Sequence, residues 1–293
     1  MEQEWLAGQF EENRGHLRAV AYRMLGSASE ADDAVQEAWL RLSRSDANAI
    51  ENLGGWLTTV VSRVCLDMLR SRKARHEEPI EPGVREPVAK PDAGGDPERE
   101  ALLADSVGLA LMVVLDRLTP AERLAFVLHD LFAVPFEEIG GILDRSAMAV
   151  RQLASRARRR VQGAPAIDET ELNRQRDLVS RFLAALRAGD VEGLVAVLDP
   201  DFVLRADKFA SFSGGTMEVH GARTWAQEAV TLFKGARFAA PALVEGAVGV
   251  VVAPQGRLFR VLKFGFSGGK IASIDAVAEP GQMGEIDLGL LQG

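Results

Sequence analysis

A chain of 293 residues is too long for one typical domain and suits two or three small ones. Its composition, 47% hydrophobic and 26% charged, allows a packed core along most of its length. The one cysteine, Cys65, excludes an internal disulfide and any CxxC metal or redox motif. The opening MEQEWLAGQF has neither the basic start nor the apolar core of a secretion signal, and no apolar run reaches membrane-span length, so a soluble cytosolic protein is expected. The net charge of −8 argues against nucleic acid only as an average.

In chain order, Glu12 to Arg75 reads as helices. His16–Leu25 has Leu17, Val20, Ala21, Met24 and Leu25 at helical spacing. Ser29 is expected to cap the next helix, DDAVQEAWLRL, with Asp32 and Asp33 in its first turn. After a polar loop with Asn48 and Asn52, a long helix from Trp56 to Arg72 turns Leu57, Val60, Val61, Val64, Cys65, Met68 and Leu69 inward. Thr58, Thr59, Ser62, Arg63 and Arg70 take its other side, and Arg72, Lys73 and Arg75 end it. Residues 77–105 are acidic and rich in Pro and Gly, which predicts a linker between a first domain, 1–76, and a second, 106–163.

Thr119-Pro120 with Glu122 is a helix start. Phe136–Leu143 and Ala147–Val161 then have the spacing of a helix-turn-helix, with Ser146 capping the second helix. That helix turns Ala149, Val150, Leu153, Ala157 and Val161 inward and Arg151, Gln152, Ser155, Arg156, Arg158 and Arg159 outward. Arginine suits guanine or phosphate and glutamine suits adenine, so this face suits duplex DNA. Local positive potential governs phosphate binding, so basic clusters at 63–76 and 145–160 are candidate DNA contacts on an acidic chain.

The runs DDAVQEAWLRL and GGWLTTVVSRVCLDMLRSRKAR resemble sigma region two of the extracytoplasmic-function (ECF) sigma factors of RNA polymerase. LTPAERLAFVLHDLFAVPFEEIGGILDRSAMAVRQLASRARRRV resembles their region four. The two lie in the expected order across about the first 160 residues. The resemblance implies that Asp32, Asp33, Gln36, Glu37 and Arg41 dock on the β′ clamp helices of core polymerase. It places Asn48, Asn52, Trp56, Thr59, Ser62, Arg63, Arg70, Arg72 and Lys73 at the minus-ten element, where opened strands need stacking and a basic groove. Arg145, Ser146, Arg151, Gln152, Ser155, Arg156, Arg158 and Arg159 would serve the minus-thirty-five element, with the preceding helices on the β flap. Asp144 and Arg145 depart from the family, which often has Gly and then an apolar residue in that turn. Asp67 is the family's usual acidic position.

The third segment, 172–280, opens on a helix from about Glu171 carrying Leu178, Val179, Phe182, Leu183 and Leu186, followed by a short helix at Gly189–Leu198. Strand-like runs follow at Phe202–Ala206, Thr216–Val219, Leu243–Val252, Arg257–Phe266 and Lys270–Val277, with a helix near Ala222–Phe233 and a hairpin turn at Ser267-Gly268-Gly269. Helices ahead of a curved antiparallel sheet make an α+β cone. LVSRFLAALRAGDVEGLVAVLDPDFVLRAD with VHGA resembles the SnoaL-like, NTF2-type domain, found behind ECF sigma factors of the SigJ type. The whole therefore reads as multidomain, two all-α sigma domains followed by a SnoaL-like cone, with a C-terminal tail at 281–293.

Relatives of the cone are enzymes using Asp or His inside it, which singles out Asp207, His220 and Asp275, with Trp225 as a wall. No acid–base pair stands in clear spacing, so the aspartates are expected as turn caps and His220 as a core or rim histidine, and no catalytic residue, cofactor or metal is expected. The resemblance implies instead intramolecular contacts with the sigma domains. The family's contact motifs match only in part here, in EEPIEPGVREP, ASFSGGTMEV and VAEPGQM, which makes Gly214, Gly215, Glu279, Pro280, Gln282 and Met283 candidates for a regulatory interface. Core RNA polymerase and promoter DNA are the expected partners. Two alternatives stay open: a ligand-sensing helix-turn-helix regulator, and a cone-fold enzyme with a DNA-binding appendage.

Overall fold

The computed structural model describes residues 2–45, 50–75, 106–211, 214–232, 236 and 238–291. The segment expected as a linker, 77–105, lies outside them. Contacts divide the chain into two units, one of Met1–Glu77 with Leu115–Arg159, the other of Glu78–Val114 with Arg160–Gly293.

The first unit is helical. Helices α1 (Glu2–Leu25), α2 (Ala28–Leu42) and α3 (Leu53–Arg75) pack on one another. Their apolar residues recur every three or four positions, so Leu17, Val20 and Met24, Ala31, Ala34, Val35 and Ala38, and Leu57, Val61 and Cys65 converge on a dry interior. The cap of α2 sits two residues earlier than expected. Gly26 turns the chain at φ +76°, Ser27 is extended, and its Oγ accepts from the Glu30 amide, which puts Ser29 inside the helix. Asp32 and Asp33 are thereby displaced from the first turn to the helix body.

Helix α4 (Ser106–Asp116) is mostly apolar and buries Leu109, Ala110, Met112, Val113, Val114 and Leu115. Its residues up to Val114 group with the second unit and the rest with the first. Helix α5 (Pro120–Phe126) starts at a capping box between Thr119 and Glu122 and runs into a π-helical turn at Val127–Leu131. Then come α6 (Phe136–Leu143) and α7 (Ala147–Gln162), the expected helix-turn-helix. Asp144 ends α6 in the left-handed region at φ 55°, the conformation glycine favours, and Arg145 donates its amide to the Gly140 carbonyl at 3.0 Å.

In the second unit, α8 (Glu169–Ala188) and α9 (Val191–Val197) lie against a sheet of order β2-β1-β6-β5-β4-β3-β7. The strands are β1 (Leu198–Ala206), β2 (Met217–His220), β3 (Ala239–Val244), β4 (Ala247–Val252), β5 (Arg260–Ser267), β6 (Lys270–Val277) and β7 (Leu288–Gly289). Helix α10 (Ala222–Leu232) follows β2 and α11 (Pro280–Glu285) follows β6. The sheet is mixed rather than antiparallel throughout, because β1 and β6 run parallel. The run Leu243–Val252, expected as one strand, is a hairpin: Glu245 at φ 51° and Gly246 at φ 82° give the two left-handed residues of a tight turn.

Residues 281–291 of the expected tail, 281–293, are instead built into the unit. Strand β7 pairs with β3, and the Leu290 amide donates to Val161 O at 2.7 Å. A Cβ on Gly289 would stand 2.7 Å from the Gly163 Cα, so the last strand closes against the end of α7 at a distance that only glycine permits. The cone interior is filled with side chains. Phe182 stacks on Trp225 at 5.6 Å between ring centres, Phe202 meets the same indole at 5.3 Å, and Phe264 meets Phe182 edge-on at 5.5 Å.

Candidate nucleic-acid interface

On α2 the inward alanines leave Asp32, Asp33, Gln36 and Arg41 exposed and Glu37 half-buried, along one side with Leu40. Asp32 accepts from Arg18 Nε at 2.8 Å, and Glu37 accepts from Arg41 Nε at 2.9 Å, one turn on. Among the described residues the side chains of Asp33 and Gln36 have no hydrogen-bond or ion-pair partner.

Along α3 the expected minus-ten residues separate by environment. Arg70 and Lys73 are exposed, and Trp56 and Thr59 are half-buried. Arg63 is exposed and donates from Nη2 to the Gly141 carbonyl of α6 at 2.9 Å. Two expectations are corrected. Ser62 is completely buried and cannot reach a base, because the small residue lies on the inward side of the helix. Arg72 is held between the Leu25 carbonyl, at 3.1 Å, and the Glu30 carboxylate, so it ties α3 to the α1–α2 corner. Asn52 is exposed and spends its Oδ1 on the Gly55 amide at 3.0 Å at the start of α3. Asn48 lies outside the described residues.

Helix α7 exposes Arg151, Gln152, Ser155, Arg156 and Arg159, while Val150, Ala154 and Ala157 are buried. Arg145, in the turn, is exposed as well. Ser146 caps the helix by accepting from the Ala149 amide at 3.3 Å. Arg151 lies over the Phe136 ring at 5.2 Å, and that ring stacks on His129 at 3.7 Å, which fixes the guanidinium at the mouth of the turn. Arg158 is half-buried and paired with Asp130 at 2.5 Å, so its charge is already answered within the unit. Sequence patterns did not single out Arg123. It is 2% exposed, donates to Asp116 at 2.8 Å and to the Arg23 carbonyl at 3.2 Å, and burial pushes its pKa down against the pull of Asp116. An arginine beside a capping Glu reads as surface, and only tertiary packing reveals it as an internal strut.

In the second unit, Asp207 is committed to structure. Its Oδ1 accepts from the amides of Phe209 and Ala210 at 2.9 and 2.7 Å, and its Oδ2 from those of Ala278 and Glu279 at 2.7 and 2.9 Å. His220 is exposed on the rim beside Glu218 at 3.1 Å, Asp275 stands 3.7 Å from Arg205, and Trp225 is core. Gly214 and Gly215 are exposed with open space around them. Glu279, Pro280 and Met283 are half-buried, and Gln282 is exposed on α11. Among the described residues no group of three His, Cys, Asp or Glu is placed to hold a metal ion, and no helix is long and apolar enough to cross a membrane.

Comparison with known proteins follows this division. Residues 9–75 match the family description Sigma-70 region 2, and residues 108–161 match Sigma-70, region 4. The ECF RNA polymerase sigma factor SigJ of Mycobacterium tuberculosis is 44% identical over 200 residues, which is 68% of this chain and 64% of that protein, so the match spans under two thirds of the relative. The ferric citrate uptake sigma factor FecI of Escherichia coli is 31% identical over 147 residues, 50% of this chain and 82% of FecI. The crystal structure of SigJ from M. tuberculosis is 34% identical, covering 95% of this chain and 98% of that one, with a TM-score of 0.48.

Proposed function

The chain belongs to the extracytoplasmic-function sigma factors of the sigma-70 family, and we propose that it binds core RNA polymerase and directs promoter-specific initiation in the cytoplasm. The observation that carries this reading is the outward face of α7, where Arg151, Gln152, Ser155, Arg156 and Arg159 are solvated over an apolar inner face. Such a helix enters a major groove with its arginines on guanine or phosphate and Gln152 on adenine. Trp56, Thr59, Arg63, Arg70 and Lys73 would take the opened minus-ten strand, with Asn52 and Asn48 as further candidates. Asp32, Asp33, Gln36, Glu37 and Arg41 would meet the β′ clamp helices, and the helices before the turn the β flap.

The cone is read as a regulator in cis rather than an enzyme. Its interior is occupied by Phe182, Phe202, Trp225 and Phe264, and the carboxylate candidate Asp207 is taken up by four backbone amides. Asp207 also roots both candidate interface segments, the loop leading to Gly214 and Gly215 and the start of α11 with Glu279, Pro280, Gln282 and Met283. The Leu290 amide donates to the Val161 carbonyl, so the end of the DNA-reading helix, from Arg160 on, is built into the same unit as the cone.

Run-off transcription with purified core polymerase and the full chain tests this. Promoter-specific transcripts are expected, and Gln152→Ala is expected to lower them about tenfold on a cognate minus-thirty-five element, about 1.4 kcal/mol, while core binding is kept. Duplex binding by the chain alone, with no core binding and no transcripts, would replace the sigma reading with a ligand-sensing regulator.

A further inference from the structure

We propose that a cleft in the first unit, between the end of α3 and the start of α7, binds a compact anion carrying linked phosphates. The cleft has a volume of about 630 Å³, inside the range of small-ligand sites, and is lined by Arg70, Lys73, Thr119, Glu122, Arg145 and Arg156 among others. Three of its four cations have no ion pair among the described residues. Among the described residues neither Lys73, Arg145 nor Arg156 has an ion pair, and Arg70 reaches Asp67 only at 3.8 Å. The one lining carboxylate, Glu122, is turned away into its capping box, where it accepts from the Thr119 amide at 3.1 Å and hydroxyl at 2.8 Å, and it is 4% exposed.

Four cations facing one recess repel one another, and among the described residues only the Asp67 pair of Arg70 offsets that. A chain of linked phosphates presents several oxygens to arginine forks and to the Lys73 ammonium together. Promoter DNA cannot play this role in the same arrangement. Helix α3 packs on α5 and α6, and Arg63 donates to Gly141 at 2.9 Å. The minus-ten and minus-thirty-five elements, in contrast, lie about 25 base pairs or roughly 85 Å apart at ~3.4 Å per pair. The arginines that would face two separate stretches of DNA here face each other. A polyphosphate in the cleft therefore stabilises the closed unit by mass action and opposes the opening that promoter binding requires.

Calorimetric titration of the full chain with inorganic tripolyphosphate, and separately with ATP, at physiological salt tests the site. One-to-one saturation is expected, with Arg145→Ala and Arg156→Ala each weakening binding at least tenfold. Arg44→Ala, which removes the same charge from the same unit outside the cleft, should change it less than twofold. Equal affinity for the two probes means that the phosphate chain alone is recognised, and tighter ATP means that the cleft also reads the nucleoside; either supports the site. Weakening by Arg44→Ala as large as by the cleft variants, or a stoichiometry well above one, means a diffuse counterion cloud and overturns it. The opposition to opening rests on the sigma reading and has its own readout. With magnesium in excess, tripolyphosphate added before core polymerase should suppress transcripts, and added after holoenzyme has formed it should not. Equal inhibition in both orders overturns that part. Absence of transcripts without any polyphosphate would instead sink the sigma reading and leave the binding result standing.

Discussion

Cys65 lies on the inward side of α3 with no exposure, and burial pushes its thiol up to about 12 from an ordinary value of 9.0. The folded state thus holds a proton that the unfolded chain gives up first. This contribution is intact below pH 9 and lost as pH rises from there toward 12, at no more than about 1.4 kcal/mol per pH unit. Native protein at pH 8 should resist iodoacetamide while denatured protein labels fully; native labelling at the rate of a free thiol would refute the burial. Asp207 is a residue whose chemistry and position point in different directions: a carboxylate in a cone suggests catalysis, yet its oxygens hold four amides on two segments. Asp207→Ala should cost about 3 kcal/mol in denaturant unfolding of the second unit, because buried amides lose charged acceptors. A cost below about 0.5 kcal/mol would show that water replaces the carboxylate.

At the scale of elements, helices were legible wherever a repeating apolar face met a capping residue. Thr119 with Glu122 and Ser146 sit where the sequence puts them because a cap is a local event, decided within four residues. Ser27 displaced Ser29 because the positive φ of Gly26, which ends α1, is not visible in the apolar pattern. The hairpin at Glu245–Gly246 was missed for a related reason: ten apolar-rich residues read as one strand unless the turn carries Asn-Gly or Asp-Gly. Strand β7 could not be seen at all, since two residues have no period and pair only because the β3 edge is there. At the interface, the exposed face of α7 was legible from helical spacing, but the loss of Ser62 and Arg72 to the interior depends on how α3 meets α1 and α2. The helix-turn-helix corner gives a sharp test. A Cβ on Gly140 would stand 2.6 Å from the Arg145 carbonyl oxygen, a backbone atom that cannot move aside cheaply. Gly140→Ala should therefore destabilise the first unit by about 2 kcal/mol. Asp144→Gly, which relieves a left-handed φ of 55°, should stabilise it by about 0.5 kcal/mol. Both are read from denaturant midpoints, and equal signs for the two would rule out this account of the corner.

For the whole molecule, a net charge of −8 is compatible with the proposed DNA-reading role because a local cluster of cations is segregated on each of α3 and α7. Phosphate binding responds to that local field and leaves the overall balance to set solubility and long-range repulsion. The segregation also sorts neighbouring arginines. Arg159 is exposed on α7 with no ion pair among the described residues, whereas Arg158 is already matched by Asp130 at 2.5 Å. Counterion release counts only charges that exchange small ions for phosphate, and each such contact adds about one to the slope of log affinity against log salt. Holoenzyme–promoter affinity measured across a potassium chloride series should lose about one from that slope in Arg159→Ala. The slope should change little in Arg158→Ala, whose cost falls instead on folding, because Asp130 is left without its partner. Equal loss of slope in the two variants would mean that the Arg158–Asp130 pair opens on DNA, and that the closed arrangement of α7 against the π-helical turn is exchanged for phosphate contact when the promoter binds.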